Sequence, residues 1–517
     1  MTDQARLDTQ WQKLGETCIH SAQFDSHERR PFSQCLPGTR GHLLNTLRTA
    51  IRTQTKKIIW LSGESGSGKS AVAHTLAQEL HASGALAASF FFSRRHPLRS
   101  KSDNFISTIA YQLGLHHRHA KEIITNALAD DPFLLRPERS RTEQFTRLVL
   151  EPLRALRLIW KDAGKVAVML FDALDECEPG ESNDSLRELV DFFVKALQDE
   201  GIANFHVVVT SRPYSHIQDV LARPTLVLPY VMDDFDARDD IELYLETSFN
   251  DLRCIPHFSL PKSWPSNAEL QLLVDRVSRR FIVASTVIRL LKQKRPSDVR
   301  RFLATLLQTQ QLTSNIDELY RHVINSSGHS STGTSLLVCI LSLYQPLSVH
   351  DLSSLVQYDV RPILDSMAAI VYVPRDGSNE PVTTYHTSLR DFLWDKSRTQ
   401  ALYSSPAAAH CSLTTICLEL MDGPLTKDIC DFGDASRLHT EIEEFAAKRD
   451  EKIYPALAYA ARFWLHHLCE SPPDRRMQYL LSLFVKEHML HWIEVASLTG
   501  VFGHCIAALF RALSHIK

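Results

Sequence analysis

The sequence predicts an α/β core on a doubly wound, mostly parallel sheet, followed by an almost wholly helical remainder that holds one small hairpin. Three observations carry this. Largely apolar runs at Ile58–Leu61, Leu86–Phe92, Val166–Phe171 and Phe205–Val209 alternate with amphipathic stretches, the pattern of strands buried on both faces and their crossover helices. The first run leads directly into a glycine-rich loop. Beyond about Pro224 the β-rich runs stop, and apolar residues recur at helical spacing instead.

Taken in order, the loop after the first strand reads Gly63-Glu64-Ser65-Gly66-Ser67-Gly68-Lys69-Ser70, the pattern G-x-x-x-x-G-K-[ST]. It opens a helix with Val72, Leu76 and Leu80 at four-residue spacing. In that strand–loop–helix setting the glycines let the backbone curl so that its N–H groups point at phosphates. Lys69 then reaches the β and γ oxygens, and the Ser70 hydroxyl completes the shell of a Mg²⁺ ion. A bound nucleoside triphosphate with Mg²⁺ is expected.

The second strand, Leu86–Phe92, ends at Arg94-Arg95, which would either touch phosphate or pair with acidic residues. A helix near Phe105–Leu113 follows, then a loop marked by Pro132 and Pro137, then a helix over about Thr142–Ala163. The third strand ends on the cluster Asp172-Ala173-Leu174-Asp175-Glu176, at the carboxyl edge where open α/β sheets hold their ligands. A solvated acidic turn would explain Asp175 and Glu176 but not the apolar strand feeding Asp172. Asp172 is therefore expected on the metal, with Glu176, or Asp175, orienting the water for hydrolysis. Arg212 closes the fourth strand within Thr210-Ser211-Arg212-Pro213; it is expected level with the γ-phosphate, where a guanidinium distinguishes triphosphate from diphosphate, the alternative being a surface arginine before a proline.

Helical periodicity then runs through Ile241–Leu245, Leu270–Val277 and Phe281–Leu291. Three further helices, Ser335–Tyr344, Val349–Val356 and Val360–Met367, precede two β-rich runs, Ile370–Val373 and Val382–Tyr385. These flank the polar turn Asp376-Gly377-Ser378-Asn379. Three helices and a hairpin of that size predict a winged helix. Its candidate recognition helix carries one arginine and one aspartate, so no basic stripe supports DNA reading. Ala407 to the end is expected to be helical. The domains expected are a helical or linker segment at 1–40, the nucleotide-binding core at 41–225, a helical domain at 226–330, the winged helix at 331–400 and a C-terminal helical domain at 401–517.

The 517 residues exceed the size at which one core keeps growing. A net charge of −3 makes no electrostatic case for nucleic acid or membrane as an obligatory partner, although a local basic patch fits within such a balance. Ten cysteines without C-x-x-C pairs, a polar start and no apolar run long enough to span a bilayer lead to the expectation of a cytoplasmic protein. His466-His467 and His116-His117-x-His119 read as solvated helix faces rather than metal ligands.

The assembled motifs resemble the NACHT family of signal-transducing STAND P-loop ATPases, most closely the fungal NOD-like receptor type similar to the nephrocystin-3 N-terminal region. The likeness rests on Cys35-Leu36-Pro37-Gly38-Thr39-Arg40, Trp60-Leu61-Ser62-Gly63, Phe171-Asp172-Ala173-Leu174-Asp175-Glu176-Cys177, Thr210-Ser211-Arg212-Pro213 and His386-Thr387-Ser388-Leu389-Arg390-Asp391-Phe392-Leu393. It implies a nucleotide-operated switch with slow ATP hydrolysis, closed with ADP and assembling into homo-oligomers with ATP, in intracellular recognition or innate-immunity-like signalling. It also implies Arg40 near the base of the nucleotide and His386 at its β-phosphate. Two departures stand out: Leu389 replaces the usual Phe, and Arg279-Arg280 replaces a Gly before the Phe281 helix. The resemblance further implies sensor repeats beyond Lys517, or a separate effector or sensor protein supplying such parts. The alternative is a nucleotide-binding scaffold held with ADP, working through its helical surface with little turnover.

Overall fold

The computed structural model describes residues 3–516 apart from 27–33, 54–55, 95–98, 101, 137–138, 163, 178–184, 200–203, 224, 259, 278–279, 310–314, 434–438 and 472–473. Arg95, Pro137, Ala163, Pro224 and Arg279 lie outside the described residues. The chain divides into two compact units, Met1–Ser314 and Asn315–Lys517.

In the first unit, helices α1 (Asp3–Thr17) and α2 (Gly41–Thr53) precede strand β1 (Ile58–Ser62). Then come α3 (Lys69–Ala82), β2 (Leu86–Phe91), α4 (Phe105–His116), α5 (Arg118–Asp130), α6 (Arg141–Phe145) and α7 (Glu151–Asp162). One π-helical turn, Thr146–Leu150, joins the last two, so the single expected helix is built in three pieces. The core closes with β3 (Ala167–Asp172), α8 (Ser185–Gln198), β4 (Phe205–Ser211), α9 (Ser215–Leu221) and β5 (Val227–Val231). All five strands are parallel, in the order β2-β3-β4-β1-β5.

Every residue of β1 to β4 is buried, because helices cover both faces. Alternation decides which face each side chain joins. Ile59, Leu61, Val168, Leu170 and Val208 pack with α2 and α3, while Ile58, Trp60, Met169, Phe171 and Val207 pack with α4 and its neighbours. Helix α1 belongs to this second layer: Trp11 stacks on Tyr111 at 4.7 Å, and Gly114 leaves the room that the indole fills. The result is an α/β P-loop NTPase core.

β5 corrects one expectation, since the β-rich runs do not stop near Pro224. In this edge strand only Val227 is buried, the other residues being partly or fully exposed, and it contains Pro229, whose missing N–H is tolerated at a sheet edge. Its composition therefore reads as loop.

Four helices follow: α10 (Arg238–Cys254), α11 (Asn267–Arg276), α12 (Phe281–Gln293) and α13 (Val299–Gln308). They run alternately up and down. Arg238 bonds Gln271 and Asp275 while Arg253 donates to the Trp264 carbonyl, which sets α11 antiparallel to α10. Phe281 meets Tyr244 at 5.9 Å, so α12 starts beside the first turns of α10, and Arg276 donates to the Leu307 carbonyl as α13 returns.

The second unit begins with helices Ile316–Ser326, Ser330–Ser342, Val349–Val356 and Arg361–Ser366, then the antiparallel hairpin of β6 (Val371–Tyr372) and β7 (Thr383–Thr384). The helix Ile316–Ser326, expected to belong to residues 226–330, packs in this unit: Arg398 pairs with Asp317 at 2.5 Å and Tyr320 bonds Ser388 at 2.8 Å. The remaining helices include Pro406–Asp422, Pro455–Cys469, Arg475–Glu487, Met489–Leu498 and Phe502–Ile516. His467, expected on a solvated face, is instead fully buried between His410 and Tyr459, each at 2.8 Å. Among the described residues no helix is long and apolar enough to cross a membrane.

Candidate functional site

β1 delivers Gly63 to the carboxyl edge of the sheet, where its N–H donates to the Ser211 carbonyl at 3.2 Å. A Cβ at Gly63 would stand 2.7 Å from Met232, just beyond β5, so only glycine fits there. Gly66 and Gly68 have φ of +80° and +100°, conformations that side chains other than glycine rarely adopt. The curl brings the chain to α3, whose first residues are Lys69 and Ser70.

Lys69 folds back across the loop, its Nζ donating to the carbonyls of Gly63 at 2.6 Å and Glu64 at 2.9 Å. Burial lowers its pKa, opposed by Asp175 and Asp172. The Ser65 and Ser67 hydroxyls are buried without a hydrogen-bond partner. A helix N-terminus, a half-buried ammonium and unsatisfied hydroxyls around one loop form a cradle that fits phosphate oxygens.

Asp172 closes β3 and is buried; its Oδ1 accepts the Thr210 hydroxyl at 2.6 Å. Ala173 then adopts φ +56°, a left-handed turn that sends Leu174–Glu176 back under the edge. Asp175 accepts the backbone N–H of Arg212 at 3.0 Å and faces its Nε at 3.2 Å, with both side chains nearly buried. Arg212 also donates to the Tyr214 hydroxyl at 3.0 Å. Glu176 accepts the backbone N–H of Arg94 at 3.1 Å, and the Arg94 guanidinium bonds the Asp175 carbonyl. Arg94 is thus tied to the acidic turn. The oxygen donors of Asp172 and Ser70 suit a hard cation that keeps most of its shell from water and phosphate, as Mg²⁺ does.

Arg40 has φ +57° and is buried. Its guanidinium donates to the Ser67 carbonyl at 2.8 Å, faces Asp240 at 3.9 Å and lies 5.1 Å from the centre of the Phe281 ring. Burial lowers its pKa, Asp240 raising it again, and Nε and Nη1 have no hydrogen-bond partner. One side chain therefore joins the phosphate loop to α10 and α12.

His386 belongs to the second unit. The N–H of Ser388 donates to its Nδ1 at 3.0 Å, so a neutral ring carries its proton on Nε2. The Ser388 hydroxyl, 2.8 Å from Nδ1, is itself bonded to Tyr320.

The structure thus gathers Arg40, Gly63, Glu64, Ser65, Gly66, Ser67, Gly68, Lys69, Ser70, Asp172, Asp175, Glu176 and Arg212 in one unit. Sequence reasoning missed Thr210, Tyr214, Met232, Asp240 and Phe281 as supporting residues. Thr210 stood inside a motif already singled out, yet its bond to Asp172 follows from β4 lying beside β3. That adjacency is not written in the order of the strands.

Residues 38–212 match the profile of the family described as Nephrocystin 3, N-terminal. The comparison with curated protein sequences found no match. Among solved structures, similarity extends to a Signal Transduction ATPase with Numerous Domains from Pyrococcus horikoshii that carries a tetratricopeptide repeat sensor. It is 12% identical with a TM-score of 0.39, over 92% of this chain and 63% of that one. The chain therefore spans less than two thirds of that protein's length. A Walker-type ATPase of Pyrococcus abyssi is 12% identical with a TM-score of 0.34, over 68% of this chain and 96% of that one.

Proposed function

We propose that the chain is an ATP/ADP-operated switch of the NACHT/STAND class with slow ATP hydrolysis, acting in cytoplasmic recognition or defence-like signalling. The observation that carries this reading is Arg40. A group that holds the phosphate loop, α10 and α12 together makes the helical array sensitive to what fills the loop. A simple phosphotransfer enzyme has no need of that link.

In this reading Lys69, the α3 N-terminus and the loop serines hold the phosphates, while Asp172 and Ser70 hold Mg²⁺, which neutralises phosphate charge when bound. Arg212, clamped by Asp175, senses the γ-phosphate. Glu176 orients the water. The hairpin and helices of the second unit act as the winged helix, with His386 Nε2–H donating to the ADP β-phosphate in the closed state.

The scaffold alternative also has an observation in its favour. The Glu176 carboxylate is engaged by the Arg94 N–H, an arrangement suited to low turnover. Single-turnover ATP hydrolysis separates the two readings. A switch hydrolyses bound ATP, slowly, and changes hydrodynamic size with nucleotide, whereas a scaffold does neither. Lys69→Ala is expected to abolish nucleotide binding, because charge-assisted phosphate contacts are the strong ones. Undiminished ATP affinity in that variant by calorimetry would show that the loop is not the site.

A further inference from the structure

The α10–α13 array carries a charge separation that the nucleotide site does not use. Because the four helices alternate in direction, the segment leading into α10 and the α11–α12 connection lie at one end, here called proximal. The α10–α11 and α12–α13 connections lie at the distal end, about 25 Å away by the 17-residue length of α10. Residues 233–242 at the proximal end hold six carboxylates and one arginine. Asp233, Asp234 and Asp239 are exposed, while Asp240 is committed to Arg40.

The distal end is the reverse. Lys262, Lys292, Arg295, Arg300 and Arg301 are exposed there, and Lys294 lies over the Phe302 ring at 4.2 Å. Of the carboxylates nearby, Asp298 is paired with Arg301 at 3.0 Å and Glu269 caps α11, leaving Asp251, exposed in the last turn of α10, among a larger number of cations. Over residues 292–301 the chain has five Lys and Arg against one Asp, in a protein whose net charge is −3; Arg276 and Arg280 flank the α11–α12 connection at the proximal end, where the carboxylates still outnumber the arginines.

That overall balance weighs against a polyanionic partner, which would meet a surface that is negative elsewhere. A second copy of the chain presents matching carboxylates on the same layer of structure. We propose that the basic distal end of the array docks the acidic proximal end of the array in a second copy. The two surfaces are different patches, so the contact is heterologous and generates a ring or a filament rather than a two-fold dimer. As the assembly contact of the proposed switch it rests on that reading; the charge argument itself holds in any nucleotide state.

The test uses the purified full chain in sedimentation velocity, over a salt series, with ADP and with ATP. Arg295→Glu with Arg300→Glu reverses two charges at the distal end, and Asp234→Lys with Asp239→Lys reverses two at the proximal end. Each double variant alone is expected to associate about tenfold more weakly than wild type, and salt is expected to weaken wild-type association. An equimolar mixture of the two should restore association, since each variant then faces its opposite. A mixture no better than either variant alone overturns the proposal, as does a wild-type chain that stays monomeric with either nucleotide. So does a distal variant that loses only binding to anionic vesicles or a DNA duplex while self-association persists. Association that passes the mixing test but ignores ATP, ADP and Lys69→Ala upholds the docking surface and removes the switch. Association that follows the nucleotide but ignores the charge reversals does the opposite.

Discussion

Asp175 and Glu176 are neighbours with different work, and their partners show it. Asp175 holds the nearly buried Arg212 through two contacts, so Asp175→Asn leaves a buried guanidinium without its counter-charge. Losing one member of such a pair costs about 3 kcal/mol. That variant is expected to unfold at a clearly lower temperature. Glu176→Gln keeps an acceptor for the Arg94 N–H and should retain stability and ATP binding while slowing turnover. Equal thermal stability of the two variants would remove this division of roles. His206, buried in β4 opposite Val168, has its pKa lowered by burial from 6.5 to about 4. The unfolded chain then binds more protons between those values, so the stability from keeping this ring neutral is complete above pH 6.5. It is lost as pH falls toward 4 and amounts to about 3 kcal/mol. His206→Leu should flatten that part of the stability profile, measured by denaturant titration across the window.

At the scale of elements, the two turns at the carboxyl edge of the sheet make opposite demands on their residues. The loop after β1 must pass Met232 closely, so Gly63→Ala forces a 2.7 Å contact. Overpacking of that kind costs about 1–3 kcal/mol and should move the loop enough to weaken nucleotide affinity in calorimetry. The turn after β3 instead places an alanine at φ +56°. Relieving a left-handed L-residue is worth about 1–2 kcal/mol, against about 0.5–1 kcal/mol lost through the greater freedom of glycine in the unfolded chain. Ala173→Gly is therefore expected to raise the unfolding temperature slightly; a lower one would show that the turn is held without strain. The first four strands were legible because burial on both faces leaves largely apolar runs. β5 was not, because an edge strand is half exposed and admits Pro229.

Over the whole molecule, the proposed switch joins a site in the first unit to His386 in the second. Ser388 and Tyr320 orient the ring, with the Ser388 N–H on Nδ1 leaving the proton of a neutral ring on Nε2. If that proton meets the ADP β-phosphate, His386→Ala removes a contact made in one state only, the condition for shifting a two-state equilibrium. A hydrogen bond to a charged group is worth about 1.5–3 kcal/mol, so ADP release should quicken roughly tenfold to a hundredfold. Stopped-flow ADP off-rates unchanged within a factor of about two, well below that span, would favour the scaffold.

The sequence by itself determined the phosphate loop, the strand-end carboxylate and the arginine after β4, because each depends on chemistry confined to a few consecutive residues. Gly66 and Gly68 must adopt positive φ, and Lys69 must follow them, whatever lies elsewhere in the chain. Only the tertiary structure decided what supports them. Thr210 reaches Asp172 because β4 lies between β3 and β1, and Met232 closes on Gly63 because β5 returns beside β1. Arg40 meets Asp240 and Phe281, hundreds of residues away, through helix packing. The separation of charge in the α10–α13 array also emerged only on folding, because alternating helix direction carries residues 233–242 and 292–301 to opposite ends. Local geometry is encoded locally, whereas the partners of a buried charge are chosen by burial, and burial is a property of the folded chain.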